Sequence, residues 1–411
     1  MPPNGYRVRR NRRLFQGLRE PARAVWYARL MRLWPFARRP RQAAPALSPG
    51  ALALVEDALR RGLDDFFVVK EHEVRGAALR WGGELRIEPA RALALLESRL
   101  RPFGYTPFLK REGDLVWIEA IPLANVVVRA RPALNLALFL LTVISTIAAG
   151  GLWASNSFPF ITFDPLREPW RLLEGVSFAC TLLAILGTHE FGHYFTARHY
   201  GAAVSLPYFI PAPPPLPFGT LGAVIVMRSP ARDRNSLFDI AVAGPLAGLA
   251  VALPALWLGL TWSRVAVIPP NATTFGDSIL MRAMTHLVFG PIPDGMDVFV
   301  HPVALAAWVG LFVTALNLFP VGQLDGGRIA YALFGSFHRQ VSIATFFGLL
   351  ALGAVFGAAN WFVFAALVAL LIGFHHAPPL DDLSPLSPRR YALGAFCLVL
   401  LVLLIPPVPI Q

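Results

Sequence analysis

The stretch His189-Glu190-Phe191-Gly192-His193 has the residue types and spacing of a metal site. Residues four apart lie on one face of an α-helix, about one turn apart, so both imidazoles can reach one metal ion. Glu190 is then placed to act on a water molecule at the metal rather than as a ligand. This H-E-x-x-H arrangement predicts hydrolytic chemistry with one Zn²⁺ per chain. The alternative is a pair of core histidines with a hydrogen-bonded glutamate.

The surroundings of these residues argue against that alternative. Of 411 residues, 55% are hydrophobic and only 15% are charged, which excludes a disordered chain and a typical soluble enzyme. Glu190 and both histidines fall inside an apolar run, where ionisable groups are costly and usually functional. Both cysteines, Cys180 and Cys397, also lie in apolar runs, so neither a disulfide framework nor a cysteine-only metal site is expected.

Apolar runs long enough to approach the thickness of a bilayer begin after Arg131. Arginines are concentrated in alternate loops, so the positive-inside rule predicts a cytoplasmic amino terminus and an outer carboxyl terminus. Seven spans are expected, of which the fifth and sixth are short enough to form one hairpin: Leu134–Trp153, Gly175–Arg198, Ser236–Trp262, Pro302–Pro320, Val341–Gly357, Trp361–His375 and Tyr391–Ile405.

A catalytic zinc ion needs a third protein ligand, and the sequence offers several candidates: Glu174, Asp239, Asp325 and the pair His375 and His376. In the expected topology the second and fourth spans run in the same direction. Asp325, just after the fourth span, therefore reaches the depth of the two histidines. Pro320 and Gly322 interrupt the helix and let the backbone line a buried cavity. Glu174 falls at the outer end of the second span, away from the two histidines. Asp239 has the position of a negative charge that stabilises the start of a helix, so Asp325 is the predicted ligand.

The fold class expected is mainly α: a polytopic α-helical membrane protein of about seven spans with a small α+β amino-terminal cytosolic domain. Residues 1–50 form a basic arm, either interfacial or disordered. Residues 51–130 form the small domain, with strands at 66–69, 77–81, 84–87 and 115–121 and a helix after Pro89. Residues 131–411 form the transmembrane domain, with a catalytic core at about 175–335.

The basic arm has twelve arginines and one acidic residue within residues 1–42. A nucleic-acid partner is one interpretation of such a charge. Because membrane spans follow, an anionic-lipid partner at the cytoplasmic face is favoured and no nucleic acid is expected. The excess of arginine over lysine suggests a bacterium, so an integral protein of the bacterial cytoplasmic membrane is expected.

H-E-F-G-H in a membrane helix, together with the N-x-x-P-x-x-x-L-D-G stretch from Asn317 to Gly326, resembles the site-2 protease family of intramembrane zinc metalloproteases. The stretches VSLPYFIPAP and FGTLGAVIVMRSP are similar to the branch with chloroplast-type members and bacterial relatives, and no inserted PDZ domain is visible. The resemblance implies that His189, His193 and Asp325 bind zinc and that Glu190 is the general base. It also implies that Asn317 lies near the substrate or oxyanion.

Cleavage of a membrane helix requires that the helix unwind into an extended strand. Thr220–Arg228 is rich in β-formers and could pair with such a strand, with Gly219 and Thr220 as predicted substrate-positioning residues. The alternative is an ordinary cytoplasmic loop. Gly244 and Gly248 form a small-xxx-small face that is expected to pack against the metal-binding helix without a chemical role.

The function expected is zinc-dependent endopeptidase cleavage of a single-span membrane protein within the bilayer. Two alternatives come from other classes: a non-catalytic membrane scaffold or chaperone with the same fold, and a zinc transporter. A transporter would need polar residues that continue across the membrane, and the outer halves of the spans lack them.

Overall fold

The computed structural model describes residues 56–410 except 58, 77, 123–130, 155–167, 169, 213–215 and 269–273. The expected basic arm at 1–50 lies outside the described residues. The chain divides into two compact units. The smaller contains the described residues before 123 with the distant segments 230–234 and 377–385, and the larger contains the described residues within 129–229, 235–376 and 386–411.

The smaller unit is built on an antiparallel sheet of four strands in the order β1-β2-β4-β3. Its strands are β1 (Phe67–Arg75), β2 (Ala78–Leu85), β3 (Thr106–Glu112) and β4 (Leu115–Ile121), with helix α1 (Pro89–Leu100) between β2 and β3. The helix buries Ala92, Leu93, Leu96 and Leu100 in the core of this unit. The α+β prediction for this region is confirmed, except that Glu84 and Leu85 end β2 rather than starting a strand of their own.

Two segments from far along the chain extend this sheet at its β3 edge. The amide of Leu109 in β3 donates to the Leu380 carbonyl at 2.7 Å, and the amide of Asp382 donates back to Leu109 at 2.9 Å. The amide of Leu380 in turn donates to the Ala231 carbonyl at 2.9 Å. These two segments thus cover the edge of β3 that no other strand of the sheet pairs with. The sequence pattern assigns both segments to loops.

The larger unit is mainly helical. Its α-helices of 9 residues or more are α2 (Pro132–Ala154), α3 (Val176–His199), α4 (Arg234–Thr261), α5 (Ile279–Phe289), α6 (Pro302–Leu318), α7 (Asp325–Phe334), α8 (His338–Phe356), α9 (Ala359–Leu367) and α10 (Pro388–Leu404), and a helical turn at Trp170–Leu173 precedes α3. Two strand pairs accompany them: β5 (Tyr208–Pro211) with β6 (Thr220–Val224), and β7 (Arg264–Val267) with β8 (Met296–Phe299).

Among the described residues, four helical stretches are long and apolar enough to cross a membrane: Pro132–Ala154, Trp170–His199, Arg234–Thr261 and Asp325–Phe356. They indicate a membrane protein. The expectation of seven spans is not confirmed, although every expected span contains a helix. Helix α6, for example, has 17 residues. At the usual rise it is about 25 Å long, short of a hydrocarbon core of about 30 Å.

Helix α3 lies at the centre of the larger unit, where it packs against α2 and α6. Close backbone approach is possible because glycines occupy the crossing points. A Cβ atom at Gly310 of α6 would lie 2.8 Å from the Ile185 side chain, and one at Gly192 of α3 would lie 2.6 Å from the Ala243 carbonyl of α4. The middle of α3 is therefore enclosed by helix backbone on two sides.

Candidate metal centre

Helix α3 carries three buried ionisable side chains in the middle of an apolar helix. His189, Glu190 and His193 have exposed fractions of 4%, 7% and 3%. The i, i+4 spacing places both imidazoles on one face of the helix, as the sequence predicts. Buried polar groups of this kind need partners, which another element of the larger unit supplies.

That element is α7, which begins at Asp325. The chain leaves α6 after Leu318 and reaches α7 through a short loop, so the two helix ends lie close together. Gly326 marks the tightest contact, because a Cβ atom there would lie 1.9 Å from the Leu318 carbonyl oxygen. Only glycine fits this position, and the close return directs the neighbouring Asp325 carboxylate toward α3.

The three predicted ligands come together with their donor atoms almost equidistant. Asp325 Oδ2 lies 3.3 Å from His189 Nε2 and 3.1 Å from His193 Nε2, and the two Nε2 atoms are 3.2 Å apart. Zinc bonds of about 2.0–2.1 Å in tetrahedral geometry give ligand separations of about 3.3 Å. The donor set therefore fits a single zinc ion with one coordination position left open, and these residues form a group that could hold one metal ion.

Two contacts fix the His193 ring. Its Nδ1 lies 2.6 Å from the Ile240 carbonyl of α4, so Nδ1–H donates there and Nε2 keeps its lone pair for the metal. On the same helix, a Cβ atom at Gly244 would lie 2.1 Å from His193 Nε2. The absence of a side chain at 244 is therefore what makes room for the ring. A Cβ atom at Gly248 would lie 3.3 Å from His189.

Glu190 is buried but is not one of the three converging donors. The backbone amide of Ile225, directly after β6, lies close to its carboxylate. Arg328, one turn after Asp325 on α7, adds a positive charge, with its Nη1 atom 3.8 Å from Asp325 Oδ1. The arrangement can hold a cation in three ligands and keep a carboxylate beside it for proton transfer.

The remaining predicted residues lie near these elements. Asn317 is half-buried in the last turn of α6. Gly219 is buried with φ +68°, and its carbonyl accepts the Ser145 hydroxyl of α2 at 2.6 Å. Thr220 begins β6 and donates to the Ile210 carbonyl at 2.9 Å. Gly219 and Thr220 thus hold the β5–β6 hairpin in place, and their contact with a substrate stays a prediction.

The other candidate ligands lie elsewhere in the larger unit. Glu174 is exposed in the turn before α3. Asp239 accepts from Arg390 Nε at 2.7 Å and from the Tyr200 hydroxyl. His376 packs against the Tyr331 ring, with centroids 5.2 Å apart, and its neighbour His375 is exposed.

Sequence reasoning missed a second layer of contacts behind the ligands. Ser342 on α8 is fully buried, and its Oγ accepts the amide of Gly322 at 3.2 Å in the loop that leads to Asp325. The buried His338 lies 3.3 Å from the same hydroxyl. An i, i+4 His-x-x-x-Ser pair is a visible pattern, but its partner is a backbone amide, which leaves no trace in the sequence.

Comparison with known proteins identifies the kind of domain that carries this centre. Residues 177–358 match the model of peptidase family M50. The chain is 31% identical over 346 residues to the probable chloroplastic zinc metalloprotease EGY2 of Oryza sativa subsp. indica, covering 79% of this chain and 59% of that protein. The chain is also 28% identical over 369 residues to the probable chloroplastic zinc metalloprotease EGY2 of Arabidopsis thaliana. That match covers 85% of this chain and 63% of that protein.

A third relative is the probable chloroplastic zinc metalloprotease EGY1 of Arabidopsis thaliana, 31% identical over 294 residues, covering 66% of this chain and 52% of that protein. The chain thus spans roughly three fifths of the length of the EGY2 relatives it matches. No solved structure matches significantly. The matched region contains both histidines, Glu190 and Asp325, so the chain contains a peptidase family M50 domain, the site-2 protease type, and is homologous to the chloroplast-type EGY zinc metalloproteases.

Proposed function

We propose that this chain is a zinc-dependent endopeptidase that cleaves membrane-spanning protein substrates within the bilayer. The observation that carries the proposal is the convergence of His189, His193 and Asp325 beside Glu190 on a helix apolar enough to cross a membrane. The family M50 domain and relatives named zinc metalloproteases support metalloprotease chemistry. The burial of the four residues supports cleavage inside the bilayer, where water can reach the centre only by a path through the protein.

In this proposal His189, His193 and Asp325 hold the zinc ion. When bound, zinc supplies Lewis-acid polarisation of the scissile carbonyl and lowers the pKa of water. Glu190 takes the proton from the attacking water through its carboxylate and then delivers it to the leaving amide nitrogen. The Ile225 amide lies close to that carboxylate and is the backbone donor that would position it. The Ile240 carbonyl keeps His193 in the tautomer that presents Nε2 to the metal.

The substrate helix must expose its backbone before it can react, because helical peptide groups are bonded to each other. Within the described part of the chain, β6 pairs with β5 alone, which leaves its other edge for an extended substrate. β6 ends next to Ile225, whose amide lies close to Glu190. We propose that β6 binds the unwound segment by strand addition, with Gly219, Thr220 and Asn317 as positioning residues.

The proposed setting is an integral membrane protein of a bacterial cytoplasmic membrane, with the amino-terminal region in the cytoplasm and its basic arm on anionic lipid. The four apolar helices support the membrane setting. The relatives are named chloroplastic, which describes those proteins.

The test is cleavage of a tagged single-span protein by the purified full chain in detergent, with zinc and with a chelator. Wild type is compared with Glu190→Gln, which keeps the size of the side chain but not its basicity. We expect cleavage by zinc-loaded wild type alone and equal zinc content in both proteins. Cleavage that persists in Glu190→Gln or in the chelated wild type would overturn the mechanism.

A further inference from the structure

Arg328 places a positive charge beside a centre that suits another cation. Its side chain lies on α7, three residues after Asp325, and only 20% of it is exposed. Its Nη1 atom lies 3.8 Å from Asp325 Oδ1, which is an ion-pair distance. A guanidinium at this place repels a dication bound to the same carboxylate, so it opposes metal binding. A role for Arg328 in the centre must therefore be something other than raising metal affinity.

The two oxygens of the Asp325 carboxylate have different partners. Oδ2 faces the other two donor atoms, at 3.3 Å from His189 Nε2 and 3.1 Å from His193 Nε2. Oδ1 is the oxygen that pairs with Arg328. The carboxylate thus presents one oxygen to the group of metal donors and the other to the guanidinium.

The backbone of α7 holds this arrangement. Asp325 and Arg328 lie in the first turn of the helix, where residues three apart share a face. The amide of Arg328 closes that turn by donating to the Leu324 carbonyl at 2.9 Å. Gly327 packs the turn against the preceding loop, since a Cβ atom there would lie 2.5 Å from the Gly322 carbonyl oxygen. This close packing restricts rotation of the turn, so both side chains start from fixed backbone positions.

The number of oxygens that Asp325 gives to a metal ion matters for the chemistry. A carboxylate can bind a metal ion through one oxygen or through both. Binding through both would add a fourth protein donor atom and fill the coordination position that a catalytic zinc site keeps open. A guanidinium paired with Oδ1 competes with the metal ion for that oxygen.

We propose that Arg328 is a positioning residue that holds Asp325 Oδ1 and thereby limits Asp325 to one metal–oxygen bond, which keeps one coordination position open. The inference rests on the proposed zinc ligands and not on the identity of a substrate. Arg328 also interacts electrostatically with Glu190, so its loss can change activity by a second route. The metal ion itself is therefore the better reporter.

The test replaces Zn²⁺ with Co²⁺ in the purified full chain in detergent, because the visible absorption of Co²⁺ is stronger for four-coordinate than for higher-coordinate ions. Wild type is compared with Arg328→Met, which removes the charge at similar volume, and with Arg328→Lys, which keeps the charge. We expect one bound Co²⁺ per chain in all three proteins. The absorption per bound ion should fall in Arg328→Met and be retained in Arg328→Lys.

Zinc affinity separates this role from a structural one. Arg328→Met removes a repelling charge and frees a second oxygen, so the zinc retained against a competing chelator should equal or exceed that of wild type. A damaged fold would lose zinc instead. The matched control is Arg198→Gln, which removes a guanidinium five residues after His193 whose Nη1 donates to the Tyr194 hydroxyl at 3.3 Å. It should match wild type in absorption and in zinc retention.

Two results would overturn the role of Arg328 and leave the zinc ligands standing. One is a Co²⁺ spectrum of Arg328→Met equal to that of wild type, and the other is a lower zinc affinity in Arg328→Met. A folded wild-type chain that binds neither Co²⁺ nor Zn²⁺ would overturn the ligand assignment of the proposed function, and this inference with it.

Discussion

Gly244 faces His193 so closely that a Cβ atom at position 244 would lie 2.1 Å from the ring Nε2. The same ring is held at its Nδ1 by the Ile240 carbonyl, one turn earlier on α4. Helix α4 therefore contacts the His193 ring at both nitrogens, although it contributes no ligand. The ring cannot move away from a new side chain without losing its hydrogen bond.

Gly244→Ala is expected to lower zinc affinity at least about tenfold, the usual range for altered support of a metal ligand. The reason is displacement of His193 rather than loss of a ligand. The measurement is zinc retained by the purified protein at equilibrium with a competing chelator. Gly348→Ala on α8 is the control, because nothing lies within 4 Å of a Cβ atom there. Equal zinc retention by Gly244→Ala and wild type would contradict the steric argument.

Asp325→Asn should greatly weaken zinc binding, since it removes the charge of the only carboxylate among the three converging donors. Asp239→Asn is the matched change at a carboxylate that pairs with Arg390 instead. It should keep zinc but lower thermal stability, because Arg390 is left beside a neutral amide. Zinc content and melting temperature of both proteins test this pair. A loss of zinc in Asp239→Asn with full retention in Asp325→Asn would reverse the ligand assignment.

Much of the centre could be predicted from the sequence because its main signals are local or topological. Two histidines and a glutamate share one helix, and Asp325 follows shortly after α6, which packs against that helix. The Ile225 amide and the Ile240 carbonyl could not be predicted, since backbone partners carry no residue signature. The addition of residues 230–234 and 377–385 to the sheet of the smaller unit could not be predicted either. Pairing between segments so far apart in the sequence depends on how the chain between them folds.

The number of spans shows another limit. Hydropathy locates apolar helices, and each expected span does contain one. It does not determine whether a short helix such as α6 crosses alone, because burial in protein can replace contact with lipid. In α6 most residues are buried, from Ala304 through Leu318. A core helix and a membrane-spanning helix therefore have the same composition here.

Ser342→Ala is expected to lower both thermal stability and zinc affinity. The change removes the acceptor of the Gly322 amide, and an unsatisfied buried donor costs about 1–3 kcal/mol. Loosening this loop also loosens Asp325, three residues later. Thr345→Ala on the same helix is the control, since among the described residues the Thr345 hydroxyl bonds within α8, to the Val341 carbonyl. Zinc competition and melting should separate the two variants, and identical behaviour would show that the loop holds Asp325 unaided.

The small unit should lose stability in acid because of the buried Arg80. Its guanidinium donates to Glu73 at 2.7 Å and Glu112 at 2.8 Å. Burial opposes ionisation of both carboxyls, but hydrogen bonds and charge from Arg75 and Arg80 leave the pKa of Glu73 below its usual value. Lys110 and Arg80 likewise lower the pKa of Glu112.

A carboxyl with a lowered folded pKa stabilises the fold above its unfolded pKa of about 4.3, and this contribution is lost as pH falls through the folded pKa. Hydrogen-exchange protection of β1–β4, corrected for intrinsic rates, should therefore fall below about pH 4. Arg80→Met, which removes the buried charge at similar volume, should flatten that dependence. An unchanged profile in Arg80→Met would show that other groups govern the acid response.

Ile225→Pro should abolish most cleavage while leaving zinc bound. Proline has no N–H, so the change removes the backbone donor that lies close to Glu190 and also blocks extension of the strand pairing beyond β6. Ile225→Val keeps the amide and the β-preference and is the control. We expect at least about a tenfold fall in cleavage rate for the proline variant, in the range of one lost backbone donor at a reacting group. Because the three predicted zinc ligands lie on α3 and α7, zinc content should match wild type. A proline variant that cleaves at the wild-type rate would remove Ile225 from the mechanism.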